Sequence, residues 1–242
     1  MFPESFSAFT FYQKKKDTLI YKAADTSHQY ILKCSENTSP AIRQALLDEY
    51  NGLSALSHPA LPRYYGIKED FCIPGTSKPV LALCMECCDG ILLPELVTKL
   101  SLHEILSIVL ATGEVLSYLL ENGILYTDLH PSNLLIRNTD TDLQITLLDF
   151  TYCYYFLNNP NPSYNLRFSY NLSPDLKGQQ LLIQELCFFF HALLELKENT
   201  NIVPVTKTAL PFSVYMLLET GNHPAETLSL QEFLIMIKEC IV

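Results

Sequence analysis

Residues 126 to 151 read YTDLHPSNLLIRNTDTDLQITLLDFT and carry two acids and an amide at spacings that chemistry can use. Asp128 is followed five residues later by Asn133. The apolar run Leu134-Leu135-Ile136 reads as a strand, a turn rich in Asp and Asn follows, and a second strand over Ile145 to Leu148 delivers Asp149-Phe150-Thr151. Such a hairpin brings Asp128, Asn133 and Asp149 to one end of two short strands. Three oxygen-bearing side chains held this way suit a hard cation and a hydroxyl nucleophile.

The rest of the chain bounds what that site can be part of. Its 242 residues suffice for one large domain or two small lobes with sizeable cores. A hydrophobic content of 48% against 17% charged residues implies a folded chain. The net charge of −10 argues against a nucleic-acid-binding surface and against binding to anionic membranes. Of the eight cysteines, Cys84, Cys87 and Cys88 lie close together, but no second Cys pair with His support completes a zinc site. Scattered thiols in a chain of this size point to a reducing compartment. The opening MFPESFSAF has neither the basic flank nor the apolar run of a signal peptide. The most apolar stretch, Leu181 to Leu196, is broken by Gln184, Glu185, His191 and Glu195, and is too short and polar to span a membrane. A cytoplasmic, soluble protein without a membrane span is expected.

The positioning elements can be read in order. Residues 8 to 33 form a small antiparallel sheet in which Phe9, Phe11, Leu19, Tyr21, Tyr30 and Leu32 are separated by polar turns. Ile42, Leu46, Leu47, Tyr50 and Leu53 recur at helical spacing, which predicts an amphipathic helix over Pro40 to Leu56 with Pro40 in its first turn. Strands are expected over Leu61 to Ile67 and Val80 to Cys84, with Pro74-Gly75 at the turn between them. Helices follow over Leu92 to Leu100, Leu102 to Asn122, Gln179 to Lys197, Leu210 to Leu218 and Leu228 to Cys240, and Gly123 stops the second of these.

The sequence resembles the eukaryotic-type protein kinases. The family pattern H-R-D-L-K-P-x-N followed by D-F-G reads here Y-T-D-L-H-P-S-N followed by D-F-T. LSYLLENGILYTDLHPSN resembles helix E running into the catalytic loop, and LIYKAADTSHQYILK resembles strands two and three. The resemblance implies an α+β, bilobal kinase-like fold: a β-rich N-lobe with helix C over residues 1–85, a hinge over 86–90 and a mainly helical C-lobe over 91–242. It implies ATP and Mg²⁺ as cofactors. Lys33 would reach the α- and β-phosphates, and Glu49, sixteen residues on, would hold it there. Met85 would stand behind the adenine base, with the carbonyl of Glu86 and the amide of Cys88 facing it. Asp128 would orient the acceptor hydroxyl and take its proton, Asn133 and Asp149 would hold the metal, and His130 would assist at the γ-phosphate.

Several departures bear on activity. The interval Gln13-Lys14-Lys15-Lys16-Asp17-Thr18 has no glycine where the family carries G-x-G-x-x-G. Its lysines either supply charge in place of backbone donors or form a solvated turn. Tyr126 and Thr127 replace the His and Arg of the catalytic loop, and Thr151 replaces the Gly after Asp149-Phe150. Without that arginine, a switch driven by phosphorylation of residues 152–172 is not expected. Ser173-Pro174-Asp175 resembles A-P-E with Asp for Glu, and Thr227 stands where its arginine partner belongs. The residue matched to the early aspartate of helix F is Leu182. Three functions remain open: phosphoryl transfer from ATP to a hydroxyl in the manner of protein Ser/Thr kinases, a pseudokinase scaffold that binds nucleotide or protein, and a small-molecule phosphotransferase like the aminoglycoside kinases, whose H-G-D-L-H-P-G-N also carries His. The acceptor, protein or small molecule, is not named by the sequence.

Overall fold

Strand formers alternate with polar residues from residue 8 onward, and this pattern folds as a β-meander. The computed structural model describes residues 2–15, 18–35, 40–76, 78–138, 143–151, 153–155, 178–198, 210–225 and 227–241. The chain divides into two compact units, Met1–Asp89 and Gly90–Val242.

In the first unit, β1 (Ala8–Lys15), β2 (Thr18–Ala24), β3 (Gln29–Ser35), β4 (Tyr64–Cys72) and β5 (Pro79–Glu86) form one antiparallel sheet in the order β1-β2-β3-β5-β4. Strand alternation sorts its residues onto two faces. Ala23, Tyr30, Leu32, Cys34, Val80, Ala82 and Cys84 share one buried face with Phe71 and Ile73, and Phe2, Phe6 and Phe9 pack against it. Gly66 admits the N-terminal residues, because a Cβ there would stand 2.7 Å from the backbone nitrogen of Phe2. The opposite face carries Ile20, Lys33, Leu81, Leu83 and Met85. Helix α1 (Pro40–Leu53) packs on β3, β4 and β5, burying Ile42, Leu46, Glu49 and Leu53. The burial of Glu49 on an otherwise apolar stripe is the first sign of a site.

The second unit opens with β6 (Ile91–Leu92), α2 (Leu93–Leu96) and a 3₁₀ turn over Val97–Lys99. The single helix expected over Leu92 to Leu100 is thus replaced. Ile91 and Leu92 pair with Ile136 and Leu135, and Pro94 starts a helix only after them. Helix α3 (Leu102–Glu121) begins at a reciprocal capping box between Ser101 and Glu104 and ends beside Gly123, whose φ of 75° is the left-handed conformation of a helix stop. By length and composition α3 is apolar enough to cross a bilayer. Here it packs against α4 (Gly178–Glu198) and α6 (Leu230–Ile241). Residues 180–187 of α4 are all buried, so two full turns are covered on every side and α4 forms the centre of the helical layer. Helix α5 (Phe212–Asn222) starts two residues later than expected because Pro211 takes the N-cap position rather than a helical one.

The hairpin expected from the motif is β8 (Leu134–Asn138) with β9 (Leu143–Leu147), in a three-stranded sheet of order β6-β8-β9. Strands β7 (Ile124–Leu125) and β10 (Tyr154–Tyr155) pair as well, each too short to show a period in the sequence. Ser173-Pro174-Asp175 and most of residues 152–172 lie outside the described residues.

Candidate functional site

In the first unit the site is a buried ion pair. Lys33 Nζ donates to Glu49 Oε1 at 2.8 Å and Oε2 at 3.0 Å. Lys33 is 5% exposed and Glu49 not at all. β3 fixes the lysine, since Lys33 pairs with Ile20 on one side and Leu83 on the other. The amphipathic register of α1 turns Glu49 inward with Leu46 and Leu53. Tyr64 at the start of β4 adds a donor, its hydroxyl lying 2.9 Å from Glu49 Oε1. No sequence motif marks Tyr64; only the fold brings it to Glu49.

Met85 lies on the same sheet face as Lys33, paired with Ile31, and is buried. Beyond it two backbone amides in a row are engaged. The amide of Glu86 donates to the Arg63 carbonyl, and that of Cys87 to the Gln29 carbonyl. The Cys88 thiol sits 4.0 Å from the Glu86 carbonyl oxygen.

In the second unit, Asp128 and Asn133 meet directly. The Asn133 amide nitrogen donates to the Asp128 carbonyl oxygen at 3.0 Å and to its carboxylate Oδ2 at 3.3 Å. The loop between them is stiffened by a 3₁₀ turn, Pro131–Asn133, in which the Ser132 amide donates to His130 Nδ1 at 3.0 Å. That contact engages Nδ1 as an acceptor in a residue that is otherwise exposed. The β8-β9 ladder returns the chain beside the loop, where the Leu148 amide donates to the Asn133 carbonyl at 2.8 Å.

Asp149 follows at once and has a φ of 61°, the one left-handed non-glycine residue among those described. The Thr151 hydroxyl donates to Asp149 Oδ1 at 3.1 Å. Tyr126 ties the two segments together. It is fully buried, its hydroxyl donates to the Leu148 carbonyl at 2.7 Å, and its ring meets Phe150 edge-on with centroids 5.3 Å apart. Burial, with the charges of Cys153, Asp149 and Asp128, holds its phenol well above the ordinary range. Tyrosine thus fills the position of the family's histidine and adds a strut.

A sequence profile of the protein kinase domain matches residues 17–176. The chain belongs to the protein kinase family. The kinase domain of PknI from Mycobacterium tuberculosis has a similar structure at 20% sequence identity, with a TM-score of 0.65 and 97% of each chain covered. The fold is bilobal, a β-sheet N-lobe and a helical C-lobe. The divalent cation that kinases use fits the donors present. With its nitrogen on Asp128, Asn133 offers a carbonyl oxygen, and Asp149 offers a carboxylate, both hard ligands. Among the described residues no three His, Cys, Asp or Glu side chains converge as a metal site.

One buried acid escapes the sequence reading, Glu185 on α4, one turn beyond Leu182. It is 6% exposed, and burial, aided by the charge of Asp128, raises its carboxyl to about 8. At neutral pH a protonated Glu185 adds no negative charge beside Asp128.

Two outcomes follow. Removing Glu49 strands the Lys33 ammonium, so Glu49→Ala should cost about 3–5 kcal/mol in urea unfolding, while the apolar double replacement Lys33→Met/Glu49→Leu should recover most of it. For Glu185, the folded state keeps a proton that the unfolded chain releases above its ordinary value of 4.5. Its contribution to stability is therefore complete below pH 4.5 and lost as pH rises through about 8. Thermal melts from pH 5 to 8.5 should show Glu185→Gln losing less stability with rising pH than the native chain.

Proposed function

We propose that the chain transfers the γ-phosphoryl group of ATP to the hydroxyl of a protein serine or threonine. The observation that carries this reading is the Asp128–Asn133 contact, a carboxylate held at the mouth of a stiffened loop beside a hard metal donor. Lys33, fixed by Glu49, would pair with the α- and β-phosphate oxygens. Asn133 and Asp149 would hold Mg²⁺, which when bound neutralises charge on the phosphate oxygens. Asp128 would accept a hydrogen bond from the acceptor hydroxyl and orient its lone pair in line with the γ-phosphorus. As the new P–O bond forms and the bond to ADP breaks, the hydroxyl proton passes to Asp128. His130 Nε2 would donate toward the γ-phosphate. Eight free thiols, three of them buried, support a reducing, cytoplasmic setting.

A second reading, a pseudokinase scaffold, is favoured by one observation. The β1-β2 ladder runs to the pair Lys15 and Thr18, so only two residues separate the strands where the family has a glycine-rich loop. Incubation with labelled ATP, Mg²⁺ and generic protein acceptors separates the readings. Transfer to protein that Asp128→Ala reduces by about a hundredfold or more, and that Asp149→Ala also removes, supports the enzyme. Absence of transfer together with retained nucleotide binding supports the scaffold, and transfer confined to small-molecule hydroxyls moves the acceptor class.

A further inference from the structure

The β1-β2 hairpin carries a second feature besides its missing glycines. β1 and β2 pair in strict alternation from Ala8 with Ala24 to Phe11 with Tyr21, and the next pair is Gln13 with Ile20. Tyr12 is the extra residue of a β-bulge. A one-residue shift exchanges the faces of everything beyond it. Without the bulge, Lys14 would oppose Thr18. With it, Gln13 opposes Ile20, Lys14 opposes Leu19 and Lys15 opposes Thr18.

The consequence can be followed across the sheet, because directly paired residues share a face. Gln13, Ile20 and Lys33 form one row, and Lys15, Thr18 and Ser35 the next. Gln13 and Lys15 therefore stand on the face that carries Lys33, two strands away and about 10 Å between backbones. Lys14 stands on the other face with Leu19, which packs toward the aromatic cluster of Phe9 and Phe71. The bulge residue has its own anchor, since Lys22 Nζ lies 4.4 Å over the Tyr12 ring. Beside Lys33 this face is apolar, with Ile20 paired to it and buried, and Ile31, paired with Lys22, half-buried. An amide and an ammonium thus share the face of Lys33, two strands away across β2. Only two residues join the strands where the family carries a glycine-rich loop, and Gln13 and Lys15 stand on the face of Lys33.

We propose that Lys15, with Gln13, contacts the polyphosphate of the nucleotide by side chain, in place of the backbone donors that a glycine-rich loop supplies. Lys15 brings a full charge on a long, flexible stem, and Gln13 a neutral donor. This rests on the reading that Lys33 holds nucleotide phosphates, and the test keeps the two apart.

Affinities for Mg²⁺-ATP, Mg²⁺-ADP and adenosine would be measured by titration calorimetry for the native chain and for Lys15→Ala, Lys15→Arg and Lys14→Ala, with thermal melts confirming folding. Lys15→Ala should weaken ATP about tenfold while leaving adenosine within about twofold, and Lys15→Arg should restore binding. Lys14→Ala, a lost charge on the opposite face, should change ATP affinity by less than about twofold, as expected of a distant, screened charge. Equal losses from Lys14→Ala and Lys15→Ala would mean a general field rather than a contact and would overturn the proposal. So would native-like ATP binding by Lys15→Ala in a chain that still prefers ATP to adenosine, which leaves the Lys33 reading standing. A native chain that does not distinguish ATP from adenosine overturns both.

Discussion

The ion pair between Lys33 and Glu49 constrains the first unit more than any other contact. Two opposite charges are withdrawn from water, and either alone would be intolerable in that setting. The sheet register must therefore bring Lys33 between Ile20 and Leu83, and α1 must lie at the rotation that aims Glu49 inward. Packing alone does not require the charges, because an apolar pair of similar size would join α1 to β3 about as well. What the charges add is an ammonium fixed in position by two carboxylate oxygens, one of which also accepts from the Tyr64 hydroxyl. A fixed ammonium loses little freedom when it meets a phosphate, which is the advantage of preorganisation.

The second unit solves the matching problem with different chemistry. Three segments that meet at Asp128, Asn133 and Asp149 are joined by main-chain contacts, Leu148 to Asn133, and by the buried Tyr126 hydroxyl on Leu148. The departures from the family pattern have local counterparts here. Tyr126 fills the space of a histidine and packs on Phe150. Thr151 gives up the freedom of glycine and supplies a hydroxyl to the Asp149 carboxylate. His130 stands in place of a lysine and caps the turn that carries Asn133. Each change supplies a specific hydrogen bond, so the loop is held rather than abandoned.

Much of this was legible in the sequence because motif and period pointed the same way. The β8-β9 hairpin, α1, α3 and α4 follow from alternation and helical spacing, and the resemblance to the kinases pairs Lys33 with Glu49. The hidden parts are those where period is silent. Glu185 lies in a stretch of α4 that is buried on every side, so no apolar period singles it out. Tyr64 reaches Glu49 only through tertiary pairing. The faces of Lys14 and Lys15 depend on a bulge at Tyr12, and a bulge is invisible to any count of alternating residues. Ile91 and Leu92 look helical until the β8 strand competes for their backbone.

The central claim is that a preorganised Lys33 grips nucleotide phosphate in a chain without a glycine-rich loop. Calorimetric titration of Mg²⁺-ATP into the native chain and into the Lys33→Met variant tests it most directly. One saturable site is expected in the native chain, with a loss of at least about tenfold in affinity on removing the ammonium, as a charge-assisted contact implies. Equal affinity in the two chains, or no binding by the native one, would contradict it.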